Sequence, residues 1–332
     1  MRTSYAQGHP PVGVRDGYTV IRRAGRYLVF PRAAFSEATR RHGPRDGLVE
    51  IWNGMPFLSP LWARGPRVTW LHHVHGAMWQ MVLPPKLAGL GNFVESRVAP
   101  PLYRRTRVIT LSESSKREMV DHLGFRADRV DVVPPGIDPR FSPGGERSAE
   151  PLVVAVGRLV PVKHFDVLIR TMAEVRQKCP EARLVVVGEG FERPALDTLV
   201  HQLGAEDWVT FAGRVDDEEL IDLYRRAWVV ASASSHEGWG MTITEAAACG
   251  TPAVATRISG HVDALEEGVG GLLADGPREL ADHLVAVLTD EALRTRLAEG
   301  ARRRAAGLTW ESTAYRTLEV LAEDAIRRRG RP

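Results

Sequence analysis

The sequence predicts an α/β protein of two Rossmann-like domains, and three observations carry that prediction. From Leu152 onward, short β-branched runs ending in glycine alternate with longer stretches of helical period, the pattern of parallel strands buried on both faces with helices between them. A second, less rhythmic set of such runs precedes it. The chain of 332 residues is also long enough for two cores. The stretch from Phe141 to Pro151, FSPGGERSAEP, is rich in Pro, Gly and charge without apolar period and reads as the interdomain linker.

In the first half, GLVEIWNG, PRVTWLHH, RVITLS and RVDVVPPG read as strands, and SSKREMVDHLG as a helix closed by Gly124. In the second, LVVAVG is a strand, the run from His164 a helix with Val167, Leu168, Met172 and Val175 on one side, and RLVVVGEG the next strand. WVTFAG, AWVVASAS and PAVAT repeat the pattern. Asp216, Asp217, Glu218 and Glu219 open a helix whose positive N-terminal dipole favours acids, so the cluster reads as a cap rather than a metal site. Thr309 caps a last helix that ends in a basic tail. The resulting division is a first Rossmann-like domain over 1–143, a second over 150–308, and a C-terminal helix over 309–332 expected to pack back towards the first domain.

The net charge of +3 conceals an asymmetry: residues 1–150 carry 22 Lys and Arg against 13 Asp and Glu, whereas residues 151–332 carry 22 against 28. A basic first half suits a phosphorylated acceptor or an anionic membrane surface, and an Arg-rich composition alone gives the same count. No run reaches the roughly 18 apolar residues of a membrane span, and MRTSYAQGHPP contains no signal-peptide core. A cytoplasmic location follows as the expectation, with peripheral contact at the inner membrane face as its extension. Cys179 and Cys249 are expected to be packed thiols.

Chemistry concentrates at two places in the second half. Gly157, Arg158 and Lys163 lie where the first strand of that half turns into a helix, a position at which backbone N–H groups and two cations can neutralise a departing diphosphate. In SSHEGWGMTITEAAACGTP, a turn containing Gly238 and Gly240 separates Glu237 from Glu245 and leads into a helix. Glycines there let the backbone approach a ligand. Glu245, about two turns into the helix, could accept ribose hydroxyls, with Glu237 facing a sugar. In the first half, His72, His73 and His75 follow a strand; the alternation of faces puts only His73 and His75 together, with no nearby acid or thiol, which argues against a metal site.

The runs GRLVPVK, VVGEG, FAGRV, EGWGMTITEAAACGTP and GHVDALEEGVGGLL occur in the order and spacing of glycosyltransferase family 4, which this chain resembles over almost its whole length. The resemblance implies the two-domain GT-B fold and a retaining hexosyltransferase-type enzyme. It would move a sugar from a UDP- or GDP-linked donor on the C-terminal domain to a glycan, lipid or small-molecule acceptor, with no cofactor beyond the donor, no metal and no nucleic acid. It places Arg158 and Lys163 on the diphosphate, Glu237 and Glu245 on the family's spaced glutamates, Gly188 and Gly190 beside the base, and Met241, Thr242 and Ile243 at the phosphates. It also places His72 opposite the donor sugar, and Asp263 where many members have Glu. The departing diphosphate itself would take the acceptor proton. Members begin with a strand and a Gly-rich loop that this sequence lacks before DGYTVIRRAGRYLVFPRAAF, so the N-terminal domain is expected to be incomplete, through a misplaced start or a truncated gene in preference to a partner chain. The alternative from another class is a non-catalytic nucleotide-sugar-binding remnant or subunit. An epimerase or phosphorylase on the same fold is disfavoured by the Gly setting of Glu237 and Glu245.

Overall fold

A computed structural model describes residues 1–25, 27–39, 43, 45–76 and 78–329. The chain separates into two compact units, one of Met1–Thr110, Lys116–Asp131 and Thr317–Pro332, the other of Leu111–Ser115 and Val132–Arg316.

The first unit opens with β1 (Arg2–Thr3), β2 (Val12–Arg15) and β3 (Tyr18–Arg22), a small sheet in the order β1-β3-β2, followed by α1 (Val29–Ala38). Next come β4 (Leu48–Trp52), α2 (Ser59–Trp62), β5 (Arg67–Leu71), α3 (Met78–Val82), α4 (Pro85–Phe93), a π-helical turn over Val94–Val98, α5 (Ala99–Tyr103), β6 (Arg107–Thr110), α6 (Glu113–Leu123) and β7 (Val130–Val132). The second sheet runs β4-β5-β6-β7, with β4, β5 and β6 parallel. Every residue of β5 is buried, as a central parallel strand requires. Trp52, Leu71, Tyr103, Val108 and Met119, all fully buried, form the core beneath the sheet. The carboxylate of Glu50 is buried with them and accepts from Tyr103 Oη at 2.6 Å, Phe57 N at 2.7 Å and the Ser59 hydroxyl. Burial raises its pKa. On its other face β4 leaves Val49 and Ile51 nearly half exposed beside a cavity of about 890 Å³, also lined by Ala33, Phe57 and Trp62.

The second unit holds β8 (Leu152–Val156), α7 (Phe165–Lys178), β9 (Arg183–Val187), α8 (Arg193–Gln202), β10 (Val209–Gly213), α9 (Asp217–Arg226), β11 (Val229–Ser232), α10 (Met241–Ala248), β12 (Ala253–Thr256), α11 (His261–Leu265), β13 (Gly271–Ala274), α12 (Pro277–Thr289) and α13 (Glu291–Ala305). Its six strands are all parallel in the order β10-β9-β8-β11-β12-β13. Val153 and Ala155 of β8 join a core with Leu168, Ile169 and Met172 of α7, while Leu152 and Val154 join Ile221, Tyr224 and Ala246 on the opposite face. This two-sided burial is why the strands read as continuous apolar runs. Asp216 caps α9 by accepting from Glu219 N at 2.9 Å, as its acidic start predicts.

The last helix, α14 (Trp310–Arg329), is capped by Thr309 Oγ1, which accepts from Ser312 N at 3.1 Å. Within the first unit its Asp324 accepts from Arg67 N at 3.0 Å. The stretch read as a linker is fastened to the second unit: Arg147 donates to Thr251 Oγ1 at 3.0 Å and to the carbonyls of Ala227 and Gly250, and Trp228 Nε1 donates to the Ser148 carbonyl at 2.7 Å. An arginine donating to carbonyls holds a segment that its composition marks only as irregular. Cys179 and Cys249 are free thiols.

Candidate functional site

The strand order reverses between β8 and β11, and ligands of doubly wound sheets bind at the carboxyl ends of the strands at that switch point. The loops leaving β8 and β11 carry Gly157 to Lys163 and Ala233 to Gly240. Gly157 N still bonds to the Val187 carbonyl at 2.9 Å, and Leu159 N to that of Glu189 at 2.9 Å, so the loops after β8 and β9 run side by side. A Cβ on Gly188 would lie 2.0 Å from the Gly157 carbonyl oxygen, and one on Gly190 would lie 2.1 Å from that of Leu159. Glycine at both positions is therefore a packing requirement of this rim.

Lys163 ends a 3₁₀ turn, Pro161–Lys163, before His164 takes a left-handed conformation (φ 48°) into α7. Its ammonium pairs with Glu237, whose carboxylate also accepts from Ser234 Oγ at 2.9 Å. The sequence assigned these two residues separate tasks; the fold joins them in one ion pair. Arg158 is exposed and forms no ion pair among the described residues.

The turn after Glu237 ends at Gly240, whose φ of 125° suits glycine, and α10 begins at Met241. Ile243 N and Thr244 N close on the Gly240 carbonyl. The N–H groups of Met241 and Thr242 precede the first intrahelical donors and point out of the helix end. Glu245 is the fifth residue of α10, one turn in rather than two, because the glycine turn extends further than its spacing suggests. Tyr224, fully buried on α9, donates to Glu245 Oε2 at 3.1 Å. Burial pushes the Glu245 pKa up to about 7, which the Tyr224 hydrogen bond opposes.

The run GHVDALEEGVGGLL also holds two second-unit residues whose contacts only the fold supplies. His261, 1% exposed, starts α11; its Nδ1 is 2.9 Å from the Thr256 carbonyl, and its ring lies against Gly240, where a Cβ would be 3.3 Å from Cδ2. Burial lowers its pKa. Asp263, the residue standing in place of Glu, accepts from Glu113 N at 3.1 Å and Ser114 N at 3.2 Å, both in the Leu111–Ser115 stretch of the same unit. Only a glycine before His261 hinted at a turn there.

His72 lies in the first unit, partly buried at the end of β5, with its pKa lowered by burial and secondarily by His75. The rings of His73 and His75 lie together, tilted, with centroids 4.4 Å apart, as the alternation predicted. The expectation that no acid stands near is corrected by Glu95, 1% exposed, which accepts from His75 N at 3.1 Å, Gly76 N at 3.2 Å and Trp79 Nε1 at 3.0 Å and lies 3.1 Å from His75 Nδ1. Twenty residues separate it from His75, so local spacing could not reveal it. Among the described residues no group of three or more His, Cys, Asp and Glu is placed to hold a metal ion.

Comparison with known proteins bears on both units. The family described as Glycosyl transferases group 1 matches residues 138–304, and Glycosyltransferase Family 4 matches residues 3–141. Relatives include D-inositol 3-phosphate glycosyltransferases of Salinispora arenicola, 38% identical over 65% of this chain and 54% of the relative, and of Nocardia farcinica, 37% identical over 64% and 51%. The chain thus spans about half the length of these curated relatives. Among solved structures, sucrose-phosphate synthase from Thermosynechococcus elongatus superposes with a TM-score of 0.83 at 21% identity, covering 97% of this chain and 88% of that one. Anabaena HepE in complex with UDP-glucose gives 0.74 at 23% identity over 92% and 86%. The parallel sheets, their strand order and the glycine rim agree with these matches: the fold is GT-B, and the chain belongs to the group 1, family 4 glycosyltransferases.

Proposed function

We propose that this chain is a retaining glycosyltransferase that moves a hexose from a nucleoside diphosphate sugar, UDP- or GDP-linked, to a glycan, lipid or phosphorylated small-molecule acceptor. The observation that carries the reading is the convergence at the β8/β11 switch point of Arg158, the Lys163–Glu237 pair and the open N-terminus of α10, one turn from Glu245. The two cations and the N–H groups of Met241 and Thr242 take up the charge that develops on the departing diphosphate. Glu245 accepts the ribose hydroxyls. Glu237, holding Lys163, faces the sugar, and Gly188 and Gly190 let the base approach the backbone. A donor oxygen takes the acceptor proton on the face that the diphosphate leaves, so configuration is retained without an enzyme nucleophile. His72 contributes from the first unit as a neutral imidazole. The UDP-glucose bound to HepE and the phosphorylated polyol in the name of the curated relatives support this donor and one class of acceptor.

Calorimetry with UDP and GDP, followed by nucleotide release from the matching hexose donors, tests the reading. One nucleotide is expected to bind, and Lys163→Ala and Arg158→Ala each to weaken it by about 1.5–3 kcal/mol, the worth of a hydrogen bond to a charged group. Affinity unchanged in both variants would overturn the site. Binding without turnover on any acceptor would leave a nucleotide-sugar-binding subunit.

A further inference from the structure

The last helix, α14, has one buried face and one open face. Thr313, Val320 and Asp324 are buried, with Thr313 Oγ1 donating to the Pro134 carbonyl at 2.8 Å and Asp324 accepting from Arg67 N, so the rotation of the helix about its axis is fixed. The opposite face follows the heptad spacing of paired helices, four residues then three, through Glu311, Tyr315, Leu318, Ala322, Ala325 and Arg329. Tyr315 on it is 65% exposed and Leu318 61%, with the exposed Ala314 and Ile326 alongside. Arg327 and Arg328 are tied to Asp324. Glu311 and Arg329, the two ends of the stripe, form no ion pair among the described residues.

We propose that this face of α14 is self-complementary and joins two copies of the chain as an antiparallel helix pair, related by a twofold axis level with Val320. Reversing the helix about that point sets Glu311 against the partner's Arg329, Tyr315 against the partner's Ala325, Leu318 against the partner's Ala322 and Ile326 against the partner's Ala314. Each large side chain meets an alanine, which lets the two backbones approach, and opposite charges close both ends. The twofold makes every one of these contacts twice. A parallel pair instead sets Glu311 on its own copy, Tyr315 on its own copy and Arg329 on its own copy. This mirrored order of large against small and acid against base is what a helix meeting its own copy requires, and an unrelated partner requires no such symmetry. Glu319, beside the centre, faces its own copy, and one helix pair buries less than the roughly 800 Å² per partner of a standard interface, so the association is weak, in the micromolar range.

Sedimentation equilibrium of the full chain, from about 1 to about 200 µM, covers the range over which so small an interface dissociates. The mass is expected to rise from 36.7 kDa towards twice that value. Leu318→Arg should leave a monomer throughout. Glu311→Arg and Arg329→Glu should each weaken association by about tenfold or more, since an exposed ion pair is worth up to about fivefold and the twofold provides two. The double variant Glu311→Arg/Arg329→Glu should recover wild-type association, because the reversed charges meet again across the axis. Val12→Ser/Val14→Ser, exposed apolar residues on β2, should change nothing. Thermal melts of each variant serve as fold controls. The proposal is overturned if the wild type stays monomeric, if Leu318→Arg associates like the wild type, or if the double variant associates no more tightly than either single one.

Discussion

Replacing Glu245 by glutamine should stabilise the protein and weaken its nucleotide binding together. In the fold the carboxyl pKa is raised to about 7 by burial, against a reference of 4.5. A raised acid binds its proton more tightly folded than unfolded, so it lowers stability as pH climbs from the unfolded pKa through the folded one, and the full cost is present above about pH 7. At 1.36 kcal/mol per pKa unit the cost is on the order of 3 kcal/mol. An uncharged amide avoids it while still accepting the Tyr224 hydroxyl. The gain of Glu245→Gln over wild type should therefore grow by about 2–3 kcal/mol between pH 5 and pH 8, or about 5–10 °C in melting temperature for a unit of this size. Differential scanning fluorimetry across that range reads it directly. The same variant should bind UDP or GDP about ten- to hundredfold more weakly at pH 8, because a carboxylate accepts ribose hydroxyls better than an amide does. Wild-type affinity should rise with pH through about 7. A stability gain independent of pH would refute burial of a charge as its cause. Unchanged affinity would refute the ribose assignment.

Glu50→Ala should cost on the order of 3 kcal/mol or more in urea melts of the first unit, because it strands the buried donors of Tyr103, Ser59 and Phe57; Glu50→Gln should cost less, and equal losses would show that hydrogen bonding is not what Glu50 provides. His72→Ala should lower turnover while leaving calorimetric UDP affinity unchanged. Because burial lowers the His72 pKa, loss of turnover through its protonation should begin only below its ordinary value near pH 6.5; a decline centred above that pH would assign the titration to another group.

Features that depend on neighbours along the chain were readable from the residues alone. Parallel strands covered on both faces must be continuous apolar runs, so β8, β9, β11 and β12 were legible. Helix caps act across three residues, so Asp216 and Thr309 were legible as well. Gly188 and Gly190 were placed by motif, and the carbonyl contacts of Gly157 and Leu159 supply the physical reason for them. Which polar groups meet across elements depended on how those elements pack. Tyr224 reaches Glu245 from another helix, Glu95 reaches His75 from a π-helical turn, Tyr103 reaches Glu50 from 53 residues away, and Lys163 meets Glu237 where the strand order reverses. Each of these pairings is set by strand order and helix packing, and a desolvated carboxylate or imidazole takes whichever donor that packing brings to it.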